Sequence, residues 1–104
     1  MGTKVSENPL YRLLCPKSIA FFGASNSIEN VGTSQLLNIV KGGYQGRVYP
    51  VHPKEKYVLG LKAHPTVMEL PEPPDVAIMV IPNHAVSETL EQCGRKGISR
   101  AIII

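Results

Sequence analysis

The residues of this sequence best suited to chemistry lie between Gly23 and Gly32, directly after a short apolar run. Gly23 permits a tight turn, and the small side chains of Ala24 and Ser25 would let a phosphate approach the backbone. A helix that starts near Val31 would direct its free N–H groups and its positive dipole end toward the same place. The spacing therefore predicts an anion site, in which Gly32 allows either close helix packing or close ligand approach.

These glycines also fit a simpler interpretation, a strand-to-helix turn that needs one glycine and binds nothing. The full dinucleotide fingerprint G-x-G-x-x-G is absent, because the next glycine after Gly23 is Gly32. The two interpretations are about equally supported by this stretch, so the choice depends on the rest of the chain.

The segment His52-Pro53-Lys54, after the second predicted strand, discriminates between nucleotides. A site for NAD needs an acidic residue at this point to accept hydrogen bonds from the ribose hydroxyls. The segment has no acid, and Lys54 instead offers a positive charge suited to a phosphate on the ribose. The pattern favours NADP or coenzyme A (CoA), with a solvated surface lysine as the plain alternative.

Ile81 and Pro82 follow the most apolar predicted strand and offer a wall that could pack on an adenine ring. His64 and His84 lie in separate segments of the chain. The sequence shows no convincing Ser-His-Asp triad, no pair of carboxylates near one loop and no metal-binding cluster. We therefore expect a binding site without catalytic residues and without a metal.

Apolar strands alternate with helical segments in the order of a doubly wound parallel sheet, which gives a three-layer α/β/α domain. Crossovers through helices make such a sheet parallel, so the carboxyl ends of its strands meet at one edge, where ligands bind. The predicted strands are Ser18–Phe22, Arg47–Val51, 76–81 and 100–104; the predicted helices are Val31–Lys41 and one capped by Asn83 or Ser87 that ends near Lys96.

Three minor elements complete the prediction. We expect a helical turn at 10–14 that docks on the sheet edge, an extended piece at 61–63 and a helical turn at 67–70. Pro50 is awkward inside a central strand, so it is expected at the exit of the second strand.

The composition excludes several classes of partner. The chain has 104 residues, a length that suits one domain over residues 1–104. Its net charge is +3, a mild excess of positive charge. Its lysines are scattered, so a small anionic ligand is favoured over nucleic acid, and no apolar run is long enough to predict a membrane partner. Cys15 and Cys93 match no metal or redox spacing, and we expect two free thiols in a reducing cytoplasm.

Several motifs taken together resemble the N-terminal CoA-binding domain of the NDP-forming acyl-CoA synthetases, relatives of the succinyl-CoA synthetase alpha subunit. The resemblance covers about residues 10–104 and is far more specific than any single motif. The motifs are PKSIAFFGAS at 16–25, VG at 31–32, GYQGRVYPVHPK at 43–54, LGLKA at 59–63, PPDVAI at 73–78 and VIP at 80–82.

The resemblance implies a Rossmann-like domain that binds CoA. It assigns the loop after the first strand to the pyrophosphate, one lysine to the 3′-phosphate, and apolar residues to the two sides of the adenine. The implied residues are Gly23, Ala24, Ser25 and Gly32 for the pyrophosphate, Lys54 for the 3′-phosphate, and Val51, Pro53, Ile81 and Pro82 for the adenine.

One position departs from the family, which commonly has Asn where this chain has His52. In this family the phosphorylated histidine and the nucleotide-binding domain lie in later segments. We therefore interpret the chain as an N-terminal fragment of an ADP-forming acyl-CoA synthetase, which binds CoA or acyl-CoA without turnover and works with the remaining synthetase domains.

Two other functions stay open. One is a stand-alone or regulatory CoA-binding protein, or a segment of a protein acetyltransferase, where related domains also occur. The other is the NADP-binding domain of an oxidoreductase, which competition of NADPH against CoA would separate.

Overall fold

The structure, a computed structural model, describes residues 16–27 and 29–104. The helical turn expected at 10–14 lies outside these residues. Within them the chain forms β1 (Ser18–Phe22), α1 (Val31–Lys41), β2 (Arg47–Val51), β3 (Tyr57–Val58), β4 (Leu61–Lys62), a 3-10 turn (Val67–Glu69), β5 (Val76–Met79), α2 (Asn83–Lys96) and β6 (Ala101–Ile103).

The main sheet has the strand order β2-β1-β5-β6, and every pair in it is parallel. Phe22, the last residue of β1, lies opposite Val51 of β2 and Met79 of β5, so the carboxyl ends of these strands are level. The chain turns from β1 toward one edge and later returns to the other side of β1. Strand order therefore reverses between β1 and β5, and this reversal is where such sheets bind ligands.

The two helices cover opposite faces of the sheet, because successive side chains of a strand point to opposite sides. Phe21 packs in a core that also contains Leu36 of α1. Its neighbours Ala20 and Phe22 pack in a second core that contains Cys93 of α2. The predicted doubly wound, three-layer α/β/α fold is confirmed.

The predicted cap of α2 is wrong. Neither Asn83 nor Ser87 precedes the helix; Pro82 is the N-cap, with φ −60°, and no side chain caps the first turn. Proline suits this place because its φ is fixed and it has no N–H that would need an acceptor. At the other end Gly97 has φ +95°, the left-handed conformation in which helices commonly end.

Two strand predictions need correction. β5 ends at Met79, two residues before the predicted end. Val80 still donates its N–H to Phe22 O (2.9 Å), but Ile81 already lies in the bend that leads to α2. Pro50 lies inside β2, not at its exit. Its carbonyl accepts the N–H of His64 (3.0 Å) on the side away from β1, so its missing N–H removes no bond from the β1–β2 ladder.

The minor elements follow the prediction with one addition. The extended piece at 61–63 contains β4, which pairs antiparallel with β3, a strand that was not predicted. The 3-10 turn falls within the predicted 67–70. Neither of the two described helices is long and apolar enough to cross a membrane.

Candidate nucleotide-binding cleft

Gly23 begins the loop after β1 at a point where a side chain has no room. Its φ is +105°, and a Cβ there would overlap the carbonyl oxygen of Val80, the residue after β5. The ends of the two central strands therefore approach each other closely at Gly23, and only glycine satisfies both the conformation and the space.

Gly32 brings the start of α1 against this loop. A Cβ at Gly32 would overlap the carbonyl oxygen of Gly23, and Gly32 is buried. Of the two roles that the sequence left open for Gly32, close helix packing is the one that the structure shows.

Thr33 fixes the shape of the loop and was missed by the sequence analysis. Its buried hydroxyl accepts the N–H of Ser25 (2.8 Å) and donates to the carbonyl of the same residue (3.0 Å). The amide of Ser25 is therefore occupied within the protein. The hydroxyl of Ser25 accepts the N–H of Ser27 (3.2 Å) and lies at the edge of the cleft described below.

Asn30 accepts two of the N–H groups in the first turn of α1. The Asn30 side chain caps the helix by accepting the N–H of Thr33 (3.2 Å), and the carbonyl of Asn30 accepts the N–H of Ser34 (3.1 Å). The N–H groups of Val31 and Gly32 have no acceptor within the helix, since they belong to its first turn. With the helix dipole, they make this end attractive to an anion.

A cleft of about 460 Å³ lies at the carboxyl edge of the sheet, beside the reversal between β1 and β5. It brings together six of the nine residues predicted for the site: Gly23, Ala24, Ser25, Val51, Pro53 and Ile81. Its remaining lining residues are Phe22, Asn30, His52, Pro65, Thr66, Ala85, Thr89 and Gln92.

Three predicted residues lie outside this lining. Gly32 is behind the loop, as described above, and Pro82 is an exposed N-cap of α2 beside the lining residue Ile81. Lys54 lines an adjoining cleft of about 290 Å³. The two clefts share His52, Pro53 and Pro65, so Lys54 lies next to the main cleft rather than in it.

The adjoining cleft is cationic. Lys54, Lys56 and Lys62 line it, with Glu55 as the acidic residue among its lining. Two other hollows, similar in volume to the main cleft or larger, lie toward the amino ends of the strands. Ile19 lines one of them and Arg47 lines the other. Parallel sheets bind ligands at the carboxyl edge, so topology and charge favour the pair of clefts there over size alone.

His52 shapes the turn between the two clefts. Its Nδ1 accepts the N–H groups of both Lys54 and Glu55, each at 3.0 Å, which requires the tautomer with its proton on Nε2. An asparagine side-chain oxygen can accept backbone N–H groups in the same local way. His52 can therefore make the contacts that an asparagine would make at this point of the turn.

Asn26 joins the loop after β1 to the β3–β4 hairpin. Its amide donates to Tyr57 O (2.8 Å), and its side-chain oxygen accepts the N–H of Leu59 (2.9 Å). Leu59 has φ +51°, a left-handed conformation that is uncommon for leucine, so the bond holds a strained turn. Nothing in the sequence marked Asn26 for this role.

The face of α2 that lines the cleft was also missed. Ala85, Thr89 and Gln92 are spaced by four and three positions, which places them on one side of a helix. This spacing was available in the sequence, but small and polar residues at helical spacing do not by themselves indicate a binding face. Of the apolar residues of α2, Cys93 is buried in the core and Leu90 is exposed.

The strongest described charge cluster lies away from the main cleft. Glu72 pairs with Arg47 (2.7 Å) and accepts the hydroxyl of Tyr49 (2.9 Å). The hydrogen bond from Tyr49, together with the bond and charge of Arg47, holds the pKa of Glu72 below its usual range. None of the three lines the main cleft, so the cluster fastens the segment before β5 to β2.

A parallel sheet with a cleft at its reversal, a glycine turn and a helix start defines a Rossmann-like nucleotide-binding domain. Over residues 17–104 the chain matches a protein family described as "CoA binding domain". The chain belongs to this family, and the CoA-binding function predicted from the sequence is confirmed.

The chain matches one part of several larger curated and solved proteins. An ADP-forming acetate–CoA ligase II from Archaeoglobus fulgidus is 36% identical over 92 residues, which are 88% of this chain and 14% of that protein. A structure of the dinucleotide-forming acetyl-coenzyme A synthetase 1 of Ca. Korarchaeum cryptofilum, with phosphate and ADP, has a TM-score of 0.88. It is 36% identical, and the match covers 91% of this chain and 20% of that one.

A shorter relative is known as well. A structure of a hypothetical protein from Pyrococcus horikoshii OT3 is 30% identical with a TM-score of 0.77, and the match covers 96% of this chain and 68% of that one. The chain thus spans about a seventh of the length of the curated ligase but about two thirds of this solved protein.

Proposed function

We propose that CoA binds across the carboxyl edge of the sheet, with its pyrophosphate at the start of α1 and its adenosine in the main cleft. The single observation that carries this proposal is the cleft itself, which joins the glycine loop, the end of β2 and the end of β5. The match to the CoA-binding family supports the choice of ligand.

The pyrophosphate is proposed to lie against Gly23, Ala24 and the hydroxyl of Ser25, facing the first turn of α1. Thr33 occupies the amide of Ser25, and its hydroxyl oxygen lies 3.3 Å from the hydroxyl of Ser25, so the proposed donors are the amides of Val31 and Gly32. Gly32 acts here through its backbone and by bringing α1 close to the loop.

The adenine is proposed to lie between apolar residues from two loops. Val51 and Pro53 stand on the β2 side and Ile81, with Pro82 beside it, on the β5 side. Apolar side chains on both sides suit the faces of a flat aromatic ring, and the polar groups that remain at the rim can set its orientation.

Lys54 is proposed to bind the 3′-phosphate from the adjoining cleft. The turn made by His52 carries Lys54 to the side of the main cleft, and Lys56 and Lys62 line the same hollow. Positive charge beside the proposed adenosine site supports this assignment, because an NAD site would require an acid there.

At the level of the whole protein, we propose that the chain is the CoA-binding domain of an ADP-forming acyl-CoA synthetase. The reaction would convert acyl-CoA, ADP and phosphate into the acid, CoA and ATP, and the other synthetase domains would be its partners. The ligase relative supports this assignment. A cytoplasmic location is part of the proposal, and the buried free thiol of Cys93 suits a reducing compartment.

The shorter relative supports a second candidate function, a stand-alone CoA-binding protein. In that case the bound CoA would serve regulation or transport of CoA, and it would not be a substrate of a ligase reaction. The length of the open reading frame distinguishes the two candidates, since only the synthetase needs further domains.

Calorimetric titration of the chain with CoA, and with NADPH as competitor, tests the proposed site. We expect CoA to bind and NADPH not to displace it at equal concentration. Ser25→Glu should weaken CoA binding at least tenfold, because it places a carboxylate beside the pyrophosphate. Ser99→Glu, at an exposed serine outside both clefts, is the matched control. Equal binding by Ser25→Glu and wild type would remove the loop from the site.

A further inference from the structure

We infer that Gln92 of α2 recognises the hydrogen-bonding edge of the adenine ring of bound CoA. This inference rests on the proposed function, because it presupposes adenosine in the main cleft. It adds a specificity-determining residue that lies on neither the glycine loop nor the strand ends.

The position of Gln92 follows from the cleft-lining face of α2. Ala85 lies near the start of the helix, beside the ends of β1 and β5, and Thr89 and Gln92 continue along the same face. A helix rises 1.5 Å per residue, so Gln92 lies about 10 Å further along the axis than Ala85. The side chain therefore borders the cleft about two helical turns beyond Ala85.

The chemistry of this face leaves one complete amide for a ligand. The Thr89 hydroxyl already donates to Ala85 O (2.8 Å), so its proton is used within the helix. Gln92 is partly buried against the cleft, and its side chain has no hydrogen-bond partner among residues 16–27 and 29–104. Its amide thus offers both a donor and an acceptor toward the cleft.

Adenine is a chemical match for such a group. Its 6-amino group donates, and the ring nitrogen beside it accepts, so a primary amide can bond both at once. Among the other described residues that line the cleft, Asn30 alone has a primary amide, and its oxygen already caps α1 by accepting the N–H of Thr33. The apolar residues hold the faces of the ring, and Gln92 reads its edge.

A double-mutant cycle tests the inference on the full chain. Wild type and Gln92→Leu are each titrated calorimetrically with CoA and with an analogue in which purine replaces adenine, which lacks the 6-amino group. We expect wild type to bind CoA roughly fivefold more tightly than the analogue. In Gln92→Leu, CoA binding should fall by roughly the same factor and the preference should disappear, since both changes remove one contact.

Gln45→Leu is the matched control, because Gln45 is exposed and precedes β2. It therefore lies at the amino ends of the strands, whereas the cleft lies at their carboxyl ends. It should keep the wild-type preference. Gln92→Ala serves if the leucine variant fails to fold by circular dichroism, since alanine is the best helix former.

Each result has a defined meaning. An unchanged preference in a folded Gln92 variant, including equal weakening of both ligands, would overturn the inference and leave the proposed function standing. Failure of wild type to bind CoA would overturn the proposed function, and the inference with it.

Discussion

The hydroxyl of Thr33 and the missing side chain of Gly32 determine the geometry of the loop after β1. Thr33 closes the loop by bonding both the N–H and the carbonyl of Ser25. Gly32 lets the helix start lie directly against the carbonyl of Gly23. The site is therefore built by contacts between two neighbouring helix residues and the loop in front of them.

Gly32→Ala should destabilise the fold, because the added Cβ meets backbone that cannot move freely. We expect the free energy of unfolding to fall by about 1–3 kcal/mol, as in overpacked cores. Urea denaturation followed by circular dichroism measures this change.

Gly94→Ala is the control for that experiment. Gly94 lies inside α2, and a Cβ there would meet no atom within 4 Å. The same substitution should therefore raise the free energy of unfolding by roughly 1 kcal/mol, through helix propensity alone. A Gly32→Ala protein as stable as wild type would refute the close approach of α1 to the loop.

Residue type alone predicted part of this geometry. Gly23 and Gly32 stood out because a strand, a glycine turn and a helix form a known combination. Thr33 did not stand out, because a threonine in the first turn of a helix looks like an ordinary helix residue. Its bond to Ser25 exists only once the loop folds back, and that is a tertiary event.

Cys93 should be an unreactive thiol. It is 2% exposed, and burial raises its pKa to about 11. In a Cys15→Ser background we expect a thiol reagent to label native Cys93 far more slowly than the urea-unfolded chain near neutral pH. Equal labelling rates would contradict the burial of Cys93.

The same pKa sets the sign of a pH effect. Between pH 9 and about 11 the folded state keeps the proton on the Cys93 thiol, whereas the unfolded state loses it. The stability that comes from burying the neutral thiol is therefore fully present below pH 9 and is lost as the pH rises toward 11. Denaturation curves of the Cys15→Ser protein and of a Cys15→Ser/Cys93→Ala protein, recorded across this range, isolate it.

At the scale of elements, the side chain of Asn26 attaches the β3–β4 hairpin to the loop after β1. Asn26 bonds both Tyr57 O and the N–H of Leu59. The hairpin also contributes Val58 to the core beneath α1. The hairpin and the proposed phosphate loop should therefore be coupled in their local stability.

Asn26→Ala should release this coupling. The Leu59 amide loses its acceptor, so we expect its hydrogen exchange to speed up roughly five- to tenfold. Asn38→Ala, at an exposed site on α1, should leave the exchange at Leu59 unchanged. Exchange followed by NMR decides, and an unaltered Leu59 amide in Asn26→Ala would show that the hairpin is held by other contacts.

The main helices and strands were largely predictable from the sequence, but the residues that cap and connect them were not. Hydrophobic runs and glycine stops gave β1, α1 and β2 with their observed bounds. The cap of α2 failed because Asn83 has a good capping side chain, whereas the fixed φ of Pro82 already sets the turn. β3 was missed because a strand of two residues has too short a pattern to read.

At the scale of the whole molecule, strand order could be anticipated because alternation of strands and helices leaves few allowed topologies. The placement of Lys54 could not, because it depends on the turn that His52 makes after β2. The sequence placed the lysine at the correct edge, and the structure assigns it to an adjoining cleft.

The chain by itself should not perform the ligase reaction. It matches 14% of the ADP-forming ligase and 20% of the solved synthetase chain, so most of those proteins lies outside the match. We expect no ATP above background from the purified chain with acetyl-CoA, ADP and phosphate. Turnover that persists through repurification would show that the chain itself contains a reactive site.

The most direct test is a double-mutant cycle at Lys54, because Lys54 supplies the charge that is proposed to bind the 3′-phosphate. Wild type and Lys54→Ala are each titrated with CoA and with dephospho-CoA at low salt. Lys41→Ala, at an exposed lysine in the last turn of α1, is the matched control.

An exposed ammonium–phosphate contact predicts roughly a five- to tenfold preference of wild type for CoA over dephospho-CoA. The preference should shrink toward equality in Lys54→Ala and persist in Lys41→Ala, because removing the phosphate and removing the Lys54 charge delete the same contact. If Lys54→Ala weakens both ligands equally, or keeps the wild-type preference, Lys54 does not bind the 3′-phosphate and the proposed position of CoA is wrong.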